Sequence, residues 1–186
     1  AAFTPRSEAE VLRLVPSVLA QDTAGPGGNS NIGVRGLPVV TGGSEFVALQ
    51  EDGLPVTLFG DIQFGNNDYW LRFDQNVERV EAVRGGSAST FTSQAPGAVI
   101  NYISKTGKTE GGSIGLSKGV NFNETKVDFD YGGHLTDTLR FHFGGFVKEG
   151  NGPTDISYTA SKGYQLKGNV TKDFEDGSGF VRVNFK

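Results

Sequence analysis

A chain of 186 residues with a formal net charge of −4 and 20% charged residues is long enough to bury one or two ordinary cores, and its charge gives no reason to expect nucleic acid as a partner. The absence of cysteine excludes a disulfide scaffold, a cysteine nucleophile and a thiolate metal site. No window approaches about 18 consecutive apolar residues and the first residues lack a signal-peptide pattern, so a membrane role would need strands.

In chain order, Ser7-Glu8-Ala9-Glu10 is a capping-box pattern, and it predicts a short helix carrying Val11, Leu12, Leu14 and Val15 that Pro16 ends. Strands are expected at residues 32–35 and 46–50, and Asp52-Gly53 signals a turn before Leu54, Pro55 and Val56. Two longer strands, at about 77–83 and 98–103, enclose a segment rich in Gly, Ser and Thr. Such a segment could cradle a phosphate, hold a nucleophile or simply set two strands side by side. Up to this point the chain reads as a small mixed α+β domain with long loops.

Near Gly111 the pattern changes to period two. The apolar sets are Ile114 and Leu116; Val127, Phe129 and Tyr131; Leu139, Phe141 and Phe143; Tyr164, Leu166 and Val170; and Val181, Val183 and Phe185. Breaks at residues 121–124, 135–138, 151–155 and 175–179 separate them, which predicts about five strands in an antiparallel meander. The opposite face is polar, with Lys126, Asp128, Asp130, Arg140 and His142 on it. Alternation alone fits a soluble sheet packed on the preceding domain, and it fits equally the start of an outer-membrane barrel, apolar toward lipid and polar toward the lumen.

Catalytic and metal signals are weak. Gly107-Lys108-Thr109 has the end of a P-loop, but Tyr102 stands where the earlier glycine belongs, and no GxSxG elbow is present. His134 and His142 are the only histidines and have no ligand spacing with a carboxylate cluster; both read as solvated or lumen-facing polar residues. Asp173, Glu175 and Asp176 read as a solvated hairpin end. No enzyme, catalytic residue, cofactor or metal site is expected.

Three blocks in series carry a family resemblance. Asn31-Ile32-Gly33-Val34-Arg35-Gly36 comes first, then Val47-Ala48-Leu49-Gln50-Glu51-Asp52-Gly53-Leu54-Pro55-Val56, then Val80-Glu81-Ala82-Val83-Arg84-Gly85 with Ala95-Pro96-Gly97-Ala98-Val99-Ile100-Asn101. Their order and spacing, followed by alternating strands, resemble the plug domain of TonB-dependent outer-membrane receptors over nearly the whole chain. The chain departs from the family pattern at Gly86, where Pro is frequent, at Phe91-Thr92-Ser93, and at Ala98, where Gly is frequent.

The resemblance implies an α+β plug domain over residues 1–110, with its start missing, followed over 111–186 by the first antiparallel strands of a transmembrane β-barrel. About five strands cannot close, because an open sheet would leave unpaired backbone in hydrocarbon, whereas plugged receptors have roughly 22 strands. The missing initiator Met likewise suggests that the chain begins downstream of its true start. The implied location is the outer membrane of a Gram-negative bacterium, with the plug inside the barrel lumen. The implied activity is import of a nutrient by remodelling of the plug. TonB would drive it, working with ExbB and ExbD at the inner membrane. Outer-membrane lipid would surround the barrel, and a surface lipoprotein is a further partner open to such a receptor.

By the same resemblance, Arg35 and Arg84 match two plug arginines that pair with barrel glutamates, a latch between plug and wall. The loops after Arg35 and after Asp52 would form apices facing an extracellular small-molecule substrate, which points to Thr41, Ser44, Asn66, Asn67, Tyr69 and Trp70. Phe59, Phe64 and Trp70 beside Asn, Gln and Asp suit an oligosaccharide or other polar organic compound. A ferric siderophore is the other option, although more Arg and Lys would be expected for it. The alternative to a transporter is a soluble β-rich ligand-binding protein.

Overall fold

Ser7 caps the first helix as its sequence requires: the Glu10 amide donates to Ser7 Oγ over 3.3 Å, and the helix, α1, runs Glu8–Leu12. It is shorter than expected. Leu14 and Val15 donate their amides to Val11 and Leu12, three residues back rather than four, and Leu14 is exposed. Pro16 disfavours helical backbone at Val15, so the chain tightens and leaves the helix early. A computed structural model describes residues 5, 7–22, 30–34, 36–37, 46–56, 71–90, 97–151, 158–159 and 161–186. The chain divides into two compact units, Ala1–Phe73 with Arg79–Ile103, and Asp74–Glu78 with Ser104–Lys186.

In the first unit β1 (Val18–Asp22) pairs antiparallel with β2 (Ser30–Val34), an addition to the expected strands. A second sheet has the order β4-β3-β6-β5, from β3 (Val47–Glu51), β4 (Leu54–Pro55), β5 (Val77–Arg84) and β6 (Ala98–Ser104). β3 and β6 are parallel neighbours, and Val47, Leu49, Ala98, Val99 and Ile100 are all buried, the near-continuous apolar run expected of strands covered on both faces. Asp52 and Gly53 both have positive φ, 53° and 83°, the geometry of a tight hairpin turn between β3 and β4. Asn101 fixes that turn by accepting the Gly53 amide on its side chain at 3.0 Å. The Gly- and Ser-rich segment after β5 begins as a 3₁₀ helix, Gly85–Thr90.

The second unit is built on a five-stranded antiparallel meander of β7 (Gly111–Lys118), β8 (Glu124–Thr136), β9 (Leu139–Gly150), β10 (Ser161–Asp173) and β11 (Phe180–Phe185). Register pairs such as Phe129↔Gly145, Leu166↔Gly145 and Val170↔Phe141 set every predicted apolar residue on one face. The turn between β10 and β11 is the solvated hairpin end expected there. The Ser178 hydroxyl and amide donate to Asp176 and hold its carboxyl below the usual carboxylate range.

Candidate functional site

The two faces of the meander are dressed the opposite way from a soluble sheet. On the apolar face Ile114 is 85% exposed and Tyr164 84%, with Leu116, Val147, Leu166, Val181 and Val183 also exposed. On the polar face Arg140, His142 and Asn169 are each only 3% exposed, and Asp128, Asp130, Lys167 and Thr171 are buried with them. Burying polar groups is costly unless each finds a partner. The polar face therefore has to be read bond by bond.

Within this unit two short segments meet the polar face. The first is Asp74 to Asn76: Gln165 Nε2 on β10 donates to Asp74 Oδ2 at 2.6 Å, and the Asn76 amide donates to Asp74 Oδ1 at 2.9 Å. The second is Lys105 to Gly107. Asn169 Nδ2 donates to the Lys105 carbonyl at 2.9 Å, and Arg140 Nη1 donates to the Thr106 carbonyl at 3.0 Å. The segments are also joined to each other, by the Lys105 amide and the Asn76 carbonyl at 2.7 Å.

Two charged clusters support them. Asp130 accepts from Lys105 Nζ on Oδ2 at 2.9 Å and from Ser113 Oγ on Oδ1, and His142 Nε2 lies 3.1 Å from the same Oδ2. Arg140 forks onto Asp173, with Nε to Oδ2 at 2.8 Å and Nη2 to Oδ1 at 2.9 Å, the bidentate geometry that makes Arg–carboxylate pairs strong and directional. Further along the same face Lys126 pairs with Asp128 at 2.8 Å and sits 4.6 Å from the Phe146 ring centre. Among the described residues, His142 Nδ1, Asn169 Oδ1 and both side-chain amide atoms of Asn76 have no hydrogen-bond partner. Such atoms fit a water-lined interior, not a dry core.

Of the latch and apex residues that the resemblance implies, Arg84 lies among the described ones. It is exposed at the end of β5, donates from Nη1 to the Pro16 carbonyl at 2.6 Å, and lines an open cleft of about 650 Å³ with Ser17, Val34, Leu37 and Gly97. Arg35, Thr41, Ser44, Asn66, Asn67, Tyr69 and Trp70 lie outside the described residues. His134 is exposed, whereas His142 is buried on the polar face. The Asp130 and Arg140 clusters escape sequence reasoning because Arg140 and Asp173 are 33 residues apart, and Lys105 and Asp130 are 25 apart. The alternation marks their face but not their partners. Among the described residues no group of His, Cys, Asp and Glu could hold a metal ion. Among the described residues no helix is long and apolar enough to cross a membrane, which says nothing of strands.

Comparison with known proteins bears on both units. The family model described as "TonB-dependent Receptor Plug Domain" matches residues 2–99. A ferric enterobactin receptor of Pseudomonas aeruginosa is 28% identical over 167 residues, 80% of this chain and 21% of that protein. The ferric enterobactin receptor PirA of the same organism is 30% identical over 168 residues, 80% of this chain and 22% of that protein. Among solved structures, the pyoverdine outer-membrane receptor FpvA of P. aeruginosa, bound to pyoverdine, superposes with a TM-score of 0.73 at 21% identity, covering 96% of this chain and 24% of its own. The siderophore receptor PirA of Acinetobacter baumannii gives 0.65 at 20% identity, covering 92% and 27%. The chain thus spans about a fifth of the length of the curated relatives named here.

Proposed function

This chain belongs to the TonB-dependent receptor plug family, and from that membership we propose that it supplies the plug and the first wall strands of a transporter that imports a ferric siderophore across the Gram-negative outer membrane. The observation that carries the reading is the inverted dressing of the meander, polar side buried and apolar side bare. A soluble β-rich binding protein would bury Ile114, Leu116, Tyr164 and Leu166, and these are among the exposed residues.

Dimensions support the same reading. On the outward face of β10 charges stand only near the ends, at Lys162 and Lys172. Ten residues at about 3.3 Å each give ~33 Å along the strand, or ~23 Å along the membrane normal at a tilt of ~45°, close to the ~25 Å apolar band of outer-membrane barrels. Tyr131, Phe141 and Phe143 cluster on this face, with ring centres 6.0 to 6.3 Å apart, toward the end that carries the tight β8–β9 turn. Short turns mark the periplasmic end of such barrels and aromatic girdles their interfaces. The connection at 119–123 leaves the opposite end of the meander and then faces outward.

The substrate class rests on the relatives, which are named for ferric enterobactin and pyoverdine. Residues 59–70, which carry the expectation of an oligosaccharide or other polar organic compound, lie outside the described residues. A deletion strain carrying the whole receptor is expected to accumulate ⁵⁵Fe from ferric enterobactin or ferric pyoverdine, and to stop when TonB is removed or a protonophore is added. Iron uptake indifferent to TonB would sink the transport mechanism. Accumulation of an oligosaccharide in place of both iron complexes would replace the substrate.

Arg35 and Arg84 serve in this reading as the latch to the wall. Losing charge-assisted hydrogen bonds worth about 1.5–3 kcal/mol each corresponds to roughly a tenfold to hundredfold rise in the unlatched population. The double variant R35A/R84A, which loses such a bond at each position, is expected to raise passive entry of a bulky antibiotic by at least that factor. Unchanged permeability with normal membrane insertion would count against the latch.

A further inference from the structure

On the apolar face of the meander, one register row is polar from end to end. Lys118 of β7 pairs with Thr125 of β8, Thr125 with Glu149 of β9, and Glu149 with Lys162 of β10. The row crosses the sheet beside the 119–123 connection, at the end opposite the tight β8–β9 turn, which is the extracellular end in the reading above. Three strand spacings of about 4.8 Å set the two lysines roughly 14 Å apart. The next row on the same face is Leu116, Val127, Val147 and Tyr164, all exposed.

The polar row still has donors to give. Lys118 Nζ donates to Asn123 Oδ1 at 3.2 Å and to Thr125 Oγ1 at 2.9 Å. Both acceptors are neutral, so among the described residues no carboxylate cancels this charge, and an ammonium has a third N–H. The Thr125 hydroxyl hydrogen, which an accepted bond does not use, stands beside it. Together they can donate to one phosphate. At the other end of the row Lys162 Nζ lies 3.7 Å from Glu149 Oε2, with side chains 72% and 58% exposed, a loose pair that does not commit the lysine.

We propose that this row binds a glycolipid of the outer leaflet that carries a phosphate at each end of a two-sugar headgroup. One phosphate sits on Lys118 and Thr125 and the other on Lys162. The Glu149 carboxylate between them accepts from sugar hydroxyls, and the acyl chains lie along Leu116, Val127, Val147 and Tyr164. The order cation, acceptor, cation across the row complements phosphate, sugar, phosphate. A phospholipid, with its single phosphate, reaches one lysine and leaves the other unused. The inference rests on the outer-membrane reading above for which face meets lipid and which end is extracellular.

The test uses the whole receptor in cells whose outer leaflet carries diphosphoryl lipid A, with a photoreactive benzophenone amino acid in place of Leu116 or, separately, of Tyr164. The receptor is extracted and washed in mild detergent before irradiation, so that only retained lipid is captured. A lipid A adduct is expected, and K118A/K162A is expected to lower its yield roughly tenfold or more, because each lysine supplies a charge-assisted contact. K172A removes a lysine of the same face at the opposite strand end, and it is expected to leave the yield unchanged. In cells whose lipid A carries a single phosphate, the yield is expected to fall by roughly tenfold as well. The site is overturned by absence of the adduct at both positions, by an undiminished yield in K118A/K162A or with monophosphoryl lipid A, by an equal loss in K172A, or by capture of a phospholipid in place of lipid A. Failure of the outer-membrane reading shows differently. Benzophenone in place of Leu166, irradiated in intact membranes, then captures no lipid of any kind whatever stands at 118 and 162, and the site falls with that reading.

Discussion

Replacing Gly107 by alanine is expected to undock the Lys105–Gly107 segment from the wall and to cost about 3–5 kcal/mol, near the top of the range for a single added methyl group. Two separate penalties combine. Gly107 has φ +71°, in the left-handed region where a Cβ is strained. A Cβ there would also overlap the Phe141 carbonyl oxygen and come within 2.9 Å of the Gly133 carbonyl oxygen. Both are backbone atoms of ladder-paired strands, so neither can swing aside as a flexible side chain would. Thr106, one residue earlier, accepts from Arg140, so the displacement reaches the fork onto Asp173. Limited trypsin digestion of the whole receptor reads the outcome directly, because Lys105 and Lys108 flank the site. The variant should be cut there under conditions that spare the parent, with a lower urea midpoint for the plug transition. Parental protease resistance and midpoint would mean that the segment is not held as described.

How far the fold was legible follows from which interactions are local. The period-two sets put every predicted outward residue on one face because side-chain alternation needs no partner to express it. The sign of burial was not legible, since alternation reads the same whichever face is covered. The family resemblance, not the alternation, carries the expectation of a lipid-facing apolar side, and the structure agrees, with Asp130, Arg140 and His142 buried and Ile114 and Tyr164 bare. Val18 to Asp22 gave no strand signal because it has no alternating pattern, and its pairing with Ser30 to Val34 supplies the order that propensity lacks. The contact of the Asp74–Asn76 segment with the polar face was beyond sequence reasoning altogether: Asp74 and Gln165 are 91 residues apart. The Asp52-Gly53 turn is the opposite case, with two adjacent residues and two positive φ angles.

Leu166→Arg separates a membrane wall from a soluble sheet by magnitude. Leu166 lies near the middle of β10 on the outward face, opposite Gly145 across the ladder, and is 51% exposed. On a soluble sheet, exchanging an exposed Leu for Arg away from any special feature changes stability by about 0.5 kcal/mol or less in either direction. At the midplane of a bilayer, an outward Arg on a barrel strand costs about 2–4 kcal/mol, falling to about 0–1 kcal/mol near the interfaces. The native pattern already obeys that depth rule: on the outward face Lys118, Glu149, Lys162 and Lys172 all stand at strand ends, and the positions between them on the described strands are apolar, Gly or Thr. The whole receptor carrying L166R is therefore expected to lose about 2–4 kcal/mol of folding free energy in lipid vesicles. K172R, which keeps its charge near the strand end, should stay within about 0.5 kcal/mol of the parent. Equal stability of L166R and the parent in vesicles would mean that this face never meets hydrocarbon, and the outward face of β7 to β11 would then need a protein partner to cover it.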